Sequence, residues 1–129
     1  TGVQTCALPI SYALEHLRYE LDGRCALVVL PRDVINLHQV TDDQLEGISS
    51  LPRQIEGVLV GVTLRQYKNC KGYKLSVRTD GIIDASAICA RLGGGGHRGA
   101  AGCNVEDTPV EQVYQQILHS VQQQLDAQG

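Results

Sequence analysis

Two neighbouring runs constrain the fold of this chain more than any other feature. Residues 58–65 (VLVGVTLR) are mostly apolar and β-branched at consecutive positions, the pattern of an interior strand covered on both faces. Residues 73–79 (YKLSVRT) alternate: Tyr73, Leu75, Val77 and Thr79 fall on one face, Lys74, Ser76 and Arg78 on the other. Successive strand side chains point to opposite sides, so this run has one apolar and one polar face. A polar connection at 67–72 separates the two, and together they read as an antiparallel hairpin.

The rest of the chain supplies more strands and their helical cover. Residues 25–30 (CALVVL) are wholly apolar and stopped by Pro31, as in a buried strand. Asp84 can cap a helix with the stripe Ala85, Ile88, Cys89 and Leu92, and Gly93 stands where a helix-ending glycine belongs. Thr41 and Gln44 fit a capping box before Leu45 and Ile48, and Pro52 to Glu56 can form one more helical stretch ending at Gly57. Ser11 can start a helix carrying Leu14, Leu17 and Leu21 that ends near Gly23. A strand is expected from Ala101 to Val105. Thr108-Pro109-Val110-Glu111 combines a second capping box with proline at the first helical position, ahead of the stripe Val110, Val113, Ile117, Val121 and Leu125. The expected fold class is α/β: a single small domain, residues 11–129, with a mixed β-sheet flanked by helices.

Residues 1–10 (TGVQTCALPI) show neither periodicity and resemble a translated sequencing-adaptor read-through, so they are expected to be non-native or unstructured. The missing initiator Met makes a fragment the expectation. A chain of 129 residues can bury roughly two-thirds of its unfolded surface. No apolar run approaches the roughly 20 residues of a membrane-spanning helix. Five cysteines, odd in number and without a CxxC pair, suggest neither a zinc knuckle nor a disulfide framework, and a reducing cytoplasm is the default.

Charge is unevenly spread. The net charge is −3, yet between Arg65 and Arg98 seven cationic residues face only Asp80 and Asp84. A basic third on an acidic chain suggests a local anion site. On charge alone a solvated basic face is the simpler reading. The polar face of residues 74–78 is equally ambiguous by itself, since the solvent side of an edge strand looks the same. Lys supplies a point charge, Ser a hydroxyl, and Arg a fork that can grip phosphate through two bonds.

The segment GGGGHRGAAG (93–102) changes that balance. Consecutive glycines let backbone amides converge on an anion, and His97 and Arg98 can add donors. A flexible linker has no reason to carry an imidazole, a guanidinium and Ala-Ala-Gly directly afterwards. Gly94, Gly96 and Gly99 match a dinucleotide-binding fingerprint by letter only, because a helix and not a strand precedes them. The Gly-Lys-Ser/Thr ending of a P-loop is absent.

Taken in order, YKLSVRT, DASAICARL and GGGGHRGAAG resemble the DHHA1 domain, the C-terminal domain of DHH-type phosphoesterases, and among these the bacterial oligoribonuclease/pAp phosphatases, or nanoRNases. The resemblance covers about residues 12 to 126. It implies a substrate-binding domain that works beside an N-terminal DHH domain, where two divalent metals, usually Mn²⁺, activate water against a phosphoester. Carried over by match, Ser76 and Arg78 grip phosphate or sugar, with Lys74 beside them. Gly94, Gly95, Gly96, His97 and Arg98 meet the phosphate, His97 as the candidate catalytic residue. This chain departs from the two-domain pattern: it has no Asp-His-His sequence, and His16, His38, His97 and His119 are scattered. No metal ligand is expected in it, the catalytic DHH domain is absent, and hydrolysis by this chain alone is not expected. The partners implied are short single-stranded RNA or a nucleotide substrate, the DHH domain and a second copy in a homodimer, with no membrane. Two alternatives stay open: a tRNA-binding module like that of alanyl-tRNA synthetases, and a cyclic-dinucleotide phosphodiesterase.

Overall fold

The computed structural model describes residues 2–128. Six strands form one mixed sheet: β1 (Arg18–Glu20), β2 (Cys25–Leu30), β3 (Val60–Gln66), β4 (Gly72–Arg78), β5 (Gly95–Gly96) and β6 (Ala100–Glu106), in spatial order β1-β2-β3-β4-β6-β5. Only β2 and β3 run parallel. Parallel neighbours need a crossover. Here it consists of α2 (Arg32–Leu37), α3 (Asp42–Ser50) and a 3₁₀ turn at Pro52–Gln54. The hairpin β3–β4 is antiparallel as the alternation requires.

The helices divide between the two faces. The short α4 (Ala85–Ala90) and the long α5 (Val110–Gln128) cover one face along its length. There Leu27, Val62, Leu64, Leu75, Val77, Ala101 and Cys103 pack with Ile88, Val113, Ile117 and Val121 in the main core. The other face is covered only at the β2 end, where Val28 and Leu30 meet Ala13, Ile35, Leu45 and Ile48. Those residues belong to α2, α3 and the N-terminal helix α1 (Gly2–Glu15). Cys25, Cys89 and Cys103 are buried. Burial pushes the Cys25 thiol up to about 12, so it serves as a small hydrophobe and not as a nucleophile. Among the described residues no helix is long and apolar enough to cross a membrane.

Local signals account for several boundaries. β2 spans the apolar run, ending at Pro31. Both bonds of the α3 capping box form: Gln44 N donates to Thr41 Oγ1 (3.2 Å) and Thr41 N to Gln44 Oε1 (2.9 Å). Asp84 caps α4 through the amides of Ser86 and Ala87.

Three expectations need correction. The segment 1–10, expected to be non-native or unstructured, is not unstructured: it is helical from Gly2 onward, with Pro9 buried inside α1. A single proline removes one amide donor, and the helix continues through it into the tightly packed Ala13. The helix does not run on to Gly23. Arg18–Glu20 instead pairs with Cys25–Leu27 as β1, because the open edge of β2 offers it ladder hydrogen bonds. Leu21 and Asp22, both at positive φ, and Gly23 form the turn, and Leu14 is half exposed, so the helical spacing of Leu14, Leu17 and Leu21 is coincidental. The capping box at Thr108 does not form either. Asp107, at φ 50°, turns the chain so that Thr108 Oγ1 donates back to the Glu106 carbonyl (2.8 Å), and the carbonyl of Pro109 takes the first helical bonds.

Candidate functional site

The half of the sheet face that α1–α3 leave bare carries the polar residues. Strand register sets them in rows. Thr63 lies opposite Ser76, Ser76 opposite Gly102, and Gly102 opposite Gly95, a line across four strands. One row along stand Arg65, Lys74 and Asn104; on the other side stand Gly61, Arg78 and Ala100. Helix α3 forms the facing wall with Asp42, Leu45, Glu46 and Ser49. All of these but Gly61 and Asn104 line a cavity of about 530 Å³. Its floor is hydroxyl and glycine, and its two ends are cationic.

Arg78 is held in place. Its side chain is only 15% exposed; Nη2 bonds Glu46 Oε1 at 2.9 Å, and Nη1 donates to the carbonyl of Val77 at 3.2 Å. The solvent side of an edge strand is excluded as well, because β4 is paired on both sides, by β3 and β6. Glu46 of α3 and the carbonyls of Val77 and of Ala101 on β6 hold the guanidinium. Arg65 and Lys74, at the other end, form no ion pair among the described residues. Thr63 is buried, yet its hydroxyl has no hydrogen-bond partner. A buried hydroxyl without a partner is unfavourable, so this one is suited to a polar ligand or a water in the cavity.

The glycine segment is not an open loop whose amides converge. Gly95 and Gly96 form the edge strand β5 beside β6, and residues 97–100 are a tight turn in which His97 and Ala100 exchange both backbone bonds. The glycines therefore differ in role. Gly94 gives its amide to the Cys89 carbonyl at 2.9 Å, and a Cβ there would stand 2.2 Å from the Gly102 oxygen. Gly96, at φ +151°, would collide with Ala101. Gly95 has no atom within 4 Å of where its Cβ would be and looks into the cavity. By antiparallel alternation the Gly96 amide points off the sheet edge, away from β6.

Of the residues singled out from sequence, Lys74, Ser76, Arg78, Gly95 and Gly96 meet around this cavity. Gly94, His97 and Arg98 are not in its lining. His97 sits exposed on the turn after Gly96. Arg98 is turned away: Nε donates to the Gly81 carbonyl at 2.6 Å, Nη2 to that of Ile82 at 3.2 Å, and Nη1 lies 3.5 Å from Asp84 Oδ2. It fastens the turn to the start of α4. The Ser86 hydroxyl, then the amides of Ala87 and Ser86 and the charge of Arg98, hold the Asp84 carboxyl below its usual range. Sequence reasoning missed Thr63 and Arg65, because residues 58–65 read as apolar on both faces. Their period-two spacing with Gly61, set against Ser76 and Lys74 in the hairpin, was the available signal. Among the described residues no group of three or more His, Cys, Asp or Glu side chains is placed to hold a metal ion.

The DHHA1 domain family matches residues 29–127. The chain belongs to that family. Over 116 residues this DHHA1 domain is 33% identical to the bifunctional oligoribonuclease and PAP phosphatase NrnA of Thermus thermophilus, covering 90% of this chain and 34% of the relative. Among solved structures it superimposes on an exopolyphosphatase-related protein from Bacteroides fragilis with a TM-score of 0.82 at 22% identity, over 92% of this chain and 34% of that one. The pGpG-specific phosphodiesterase PggH from Vibrio cholerae gives 0.61 at 11% identity, over 98% and 40%. The DHHA1 domain thus spans about a third of the first two and two-fifths of the third. These likenesses support the mixed-sheet fold, and the match to the curated relative extends to the strands and glycine turn that build the cavity.

Proposed function

We propose that this DHHA1 domain is the substrate-binding part of a metal-dependent phosphoesterase, and that its cavity receives the phosphate and sugar of a short oligoribonucleotide, a linear dinucleotide or pAp. The observation that carries the reading is the cationic, hydroxyl-floored half of the sheet face, left uncovered beside an apolar half that is fully packed. Arg78, already oriented by the Val77 carbonyl, can exchange Glu46 for a phosphate oxygen. Lys74 and Arg65 supply charge at the far end, and Ser76 and Thr63 supply hydroxyls between. Gly95 and Gly102 leave no side chain between ligand and backbone.

Hydrolysis belongs in this reading to a DHH domain elsewhere in the intact protein, whose Mn²⁺ pair would activate the attacking water. His97, exposed on the turn after Gly96, would meet the phosphate from the side facing that domain. A cavity of this size, in a chain of net charge −3, fits a small anion better than the long footprint of a folded tRNA.

Calorimetric titration of this chain with pAp and with a 5′-phosphorylated diadenylate tests the proposal. One-to-one binding is expected, weakened by roughly 1.5–3 kcal/mol in Arg78→Ala, the usual worth of a bond to a charged group. No hydrolysis is expected from this chain, with or without Mn²⁺. Absence of binding, or equal affinity in Arg78→Ala, would overturn it; preference for tRNA over both probes would support the synthetase-like alternative.

A further inference from the structure

Two buried side-chain polar atoms among the described residues lack a hydrogen-bond partner: Thr63 Oγ1 and Arg32 Nε. They are not scattered. Thr63 lines the cavity described above. Arg32 lines a second cavity of about 510 Å³, together with Arg65, Tyr67, Lys68 and Asp42. The two cavities share Asp42, Leu45 and Arg65, so the Arg65 side chain stands at the junction between them.

The second cavity is built from the ends of the parallel strands. Leu30 lies opposite Arg65 in the β2–β3 register, and α2 begins two residues later at Arg32. Arg32 is tied to the end of β3 at two points. Its Nη2 donates to the Gln66 carbonyl at 2.7 Å, and its backbone amide donates to Gln66 Oε1 at 2.9 Å. These bonds orient the guanidinium and leave Nε buried without an acceptor. Neither Lys68, exposed on the loop after β3, nor Arg32 nor Arg65 forms an ion pair among the described residues. Three cations therefore converge with Asp42 as the one carboxylate of the lining. A buried guanidinium donor gains most from a charged acceptor with several lone pairs, and phosphate oxygen is the commonest such group.

We propose that this second cavity is a further phosphate subsite, which takes the next phosphate of a linear oligonucleotide whose first phosphate lies in the Arg78 and Lys74 cavity. Arg65 touches both, and Arg32 and Lys68 belong to the second alone. The inference rests on the substrate reading above and adds to it a direction: the strand runs from β5 across β4 and β3 toward the start of α2. Asp42, on the α3 side, repels the phosphate toward Arg32 and Lys68. The subsite makes the domain sensitive to the length of its ligand.

Length-dependent binding to this chain of oligoadenylates of two, three and four nucleotides without terminal phosphates, which carry one, two and three phosphates, tests it. Affinity is expected to rise about tenfold from the dinucleotide to the longer probes, the size of one good charge-assisted contact. Lys68→Ala should remove most of that rise while leaving dinucleotide affinity unchanged, and should make the salt dependence for the tetranucleotide shallower by about 0.7 in log–log slope. Arg32→Lys, which keeps the charge but deletes Nε, should also lose the rise; its fold is checked by thermal melting. Lys71→Ala, outside both cavities, is the control. Equal affinity for two and four nucleotides in the parent, or a Lys68→Ala variant indistinguishable from Lys71→Ala, overturns the second subsite while the first stands. A dinucleotide that fails to bind, or binds regardless of Arg78→Ala, sinks the underlying reading and this one with it.

Discussion

On β4, neighbouring residues live under different rules. Leu75 and Val77 are completely buried beneath α4 and α5, while Lys74, Ser76 and Arg78 point the other way into a cavity. Two strands away, β2 is apolar on both faces, and helices cover both. The difference lies in where the helical layer stops. α3 turns Leu45 and Ile48 toward β2 and leaves Glu46 and Ser49 facing the open half. Covering the cationic half would strip water from Arg65 and Lys74 with no partner in return, a heavy penalty. One face therefore holds the sheet rigid, and the other is free to present charge.

The largest test of that division falls on the packed face. Leu75→Ala should lower stability by about 2–5 kcal/mol, the usual cost of emptying a buried leucine site, measured by urea unfolding. Short-nucleotide affinity of the remaining folded protein should be unchanged; a parallel loss of affinity would show that the two faces are not separable.

The glycine pair divides the same way within a single segment. Gly94→Ala should cost roughly 1–3 kcal/mol of stability, because its Cβ is forced against Gly102 and Cys103. Gly95→Val should unfold at the parent's temperature, within about 0.5 kcal/mol, and lose nucleotide binding, because its side chain enters the cavity. Parental affinity in Gly95→Val would remove β5 from the site.

Thr63→Val should move stability and binding in opposite directions. Replacing a buried, unpartnered hydroxyl by a methyl of similar shape should stabilise the fold by up to about 1 kcal/mol and weaken binding by a similar amount. The smallest effect is expected at Glu46→Gln. Its ion pair with Arg78 is largely exposed on the Glu46 side, and such pairs contribute about 0–1 kcal/mol. Stability should barely change, and anion affinity should rise a few-fold as Arg78 loses its competing carboxylate. A fall in affinity would mean that Glu46 orients Arg78 for the ligand.

Much of the fold was legible because its signals are local. Pro31 ends β2, Thr41 and Gln44 close a capping box, and Asp84 caps α4, each through atoms within a few residues. β1 was not legible, since a three-residue strand forms there only because the edge of β2 lies alongside. The same limit applied at the site. Lys74, Ser76 and Arg78 could be grouped by the period of a single strand. Thr63 and Arg65 join them through the register of a second strand, and Asp42 and Glu46 through a helix packed opposite. Arg98 looked as available as Arg78, but carbonyls of a distant turn occupy it.

The sequence by itself determined the alternation on β4, the caps of the helices and the family to which the chain belongs. These depend on dihedral preferences and spacing along one element, which neighbours in the chain set almost alone. Tertiary structure decided which cations share a cavity, which glycine is open, and that a second cavity adjoins the first at Arg65. Those outcomes depend on strand register and on where α3 stops covering the sheet, and both are fixed by contacts between elements, from 9 positions apart at Arg65 and Lys74 to 32 at Glu46 and Arg78.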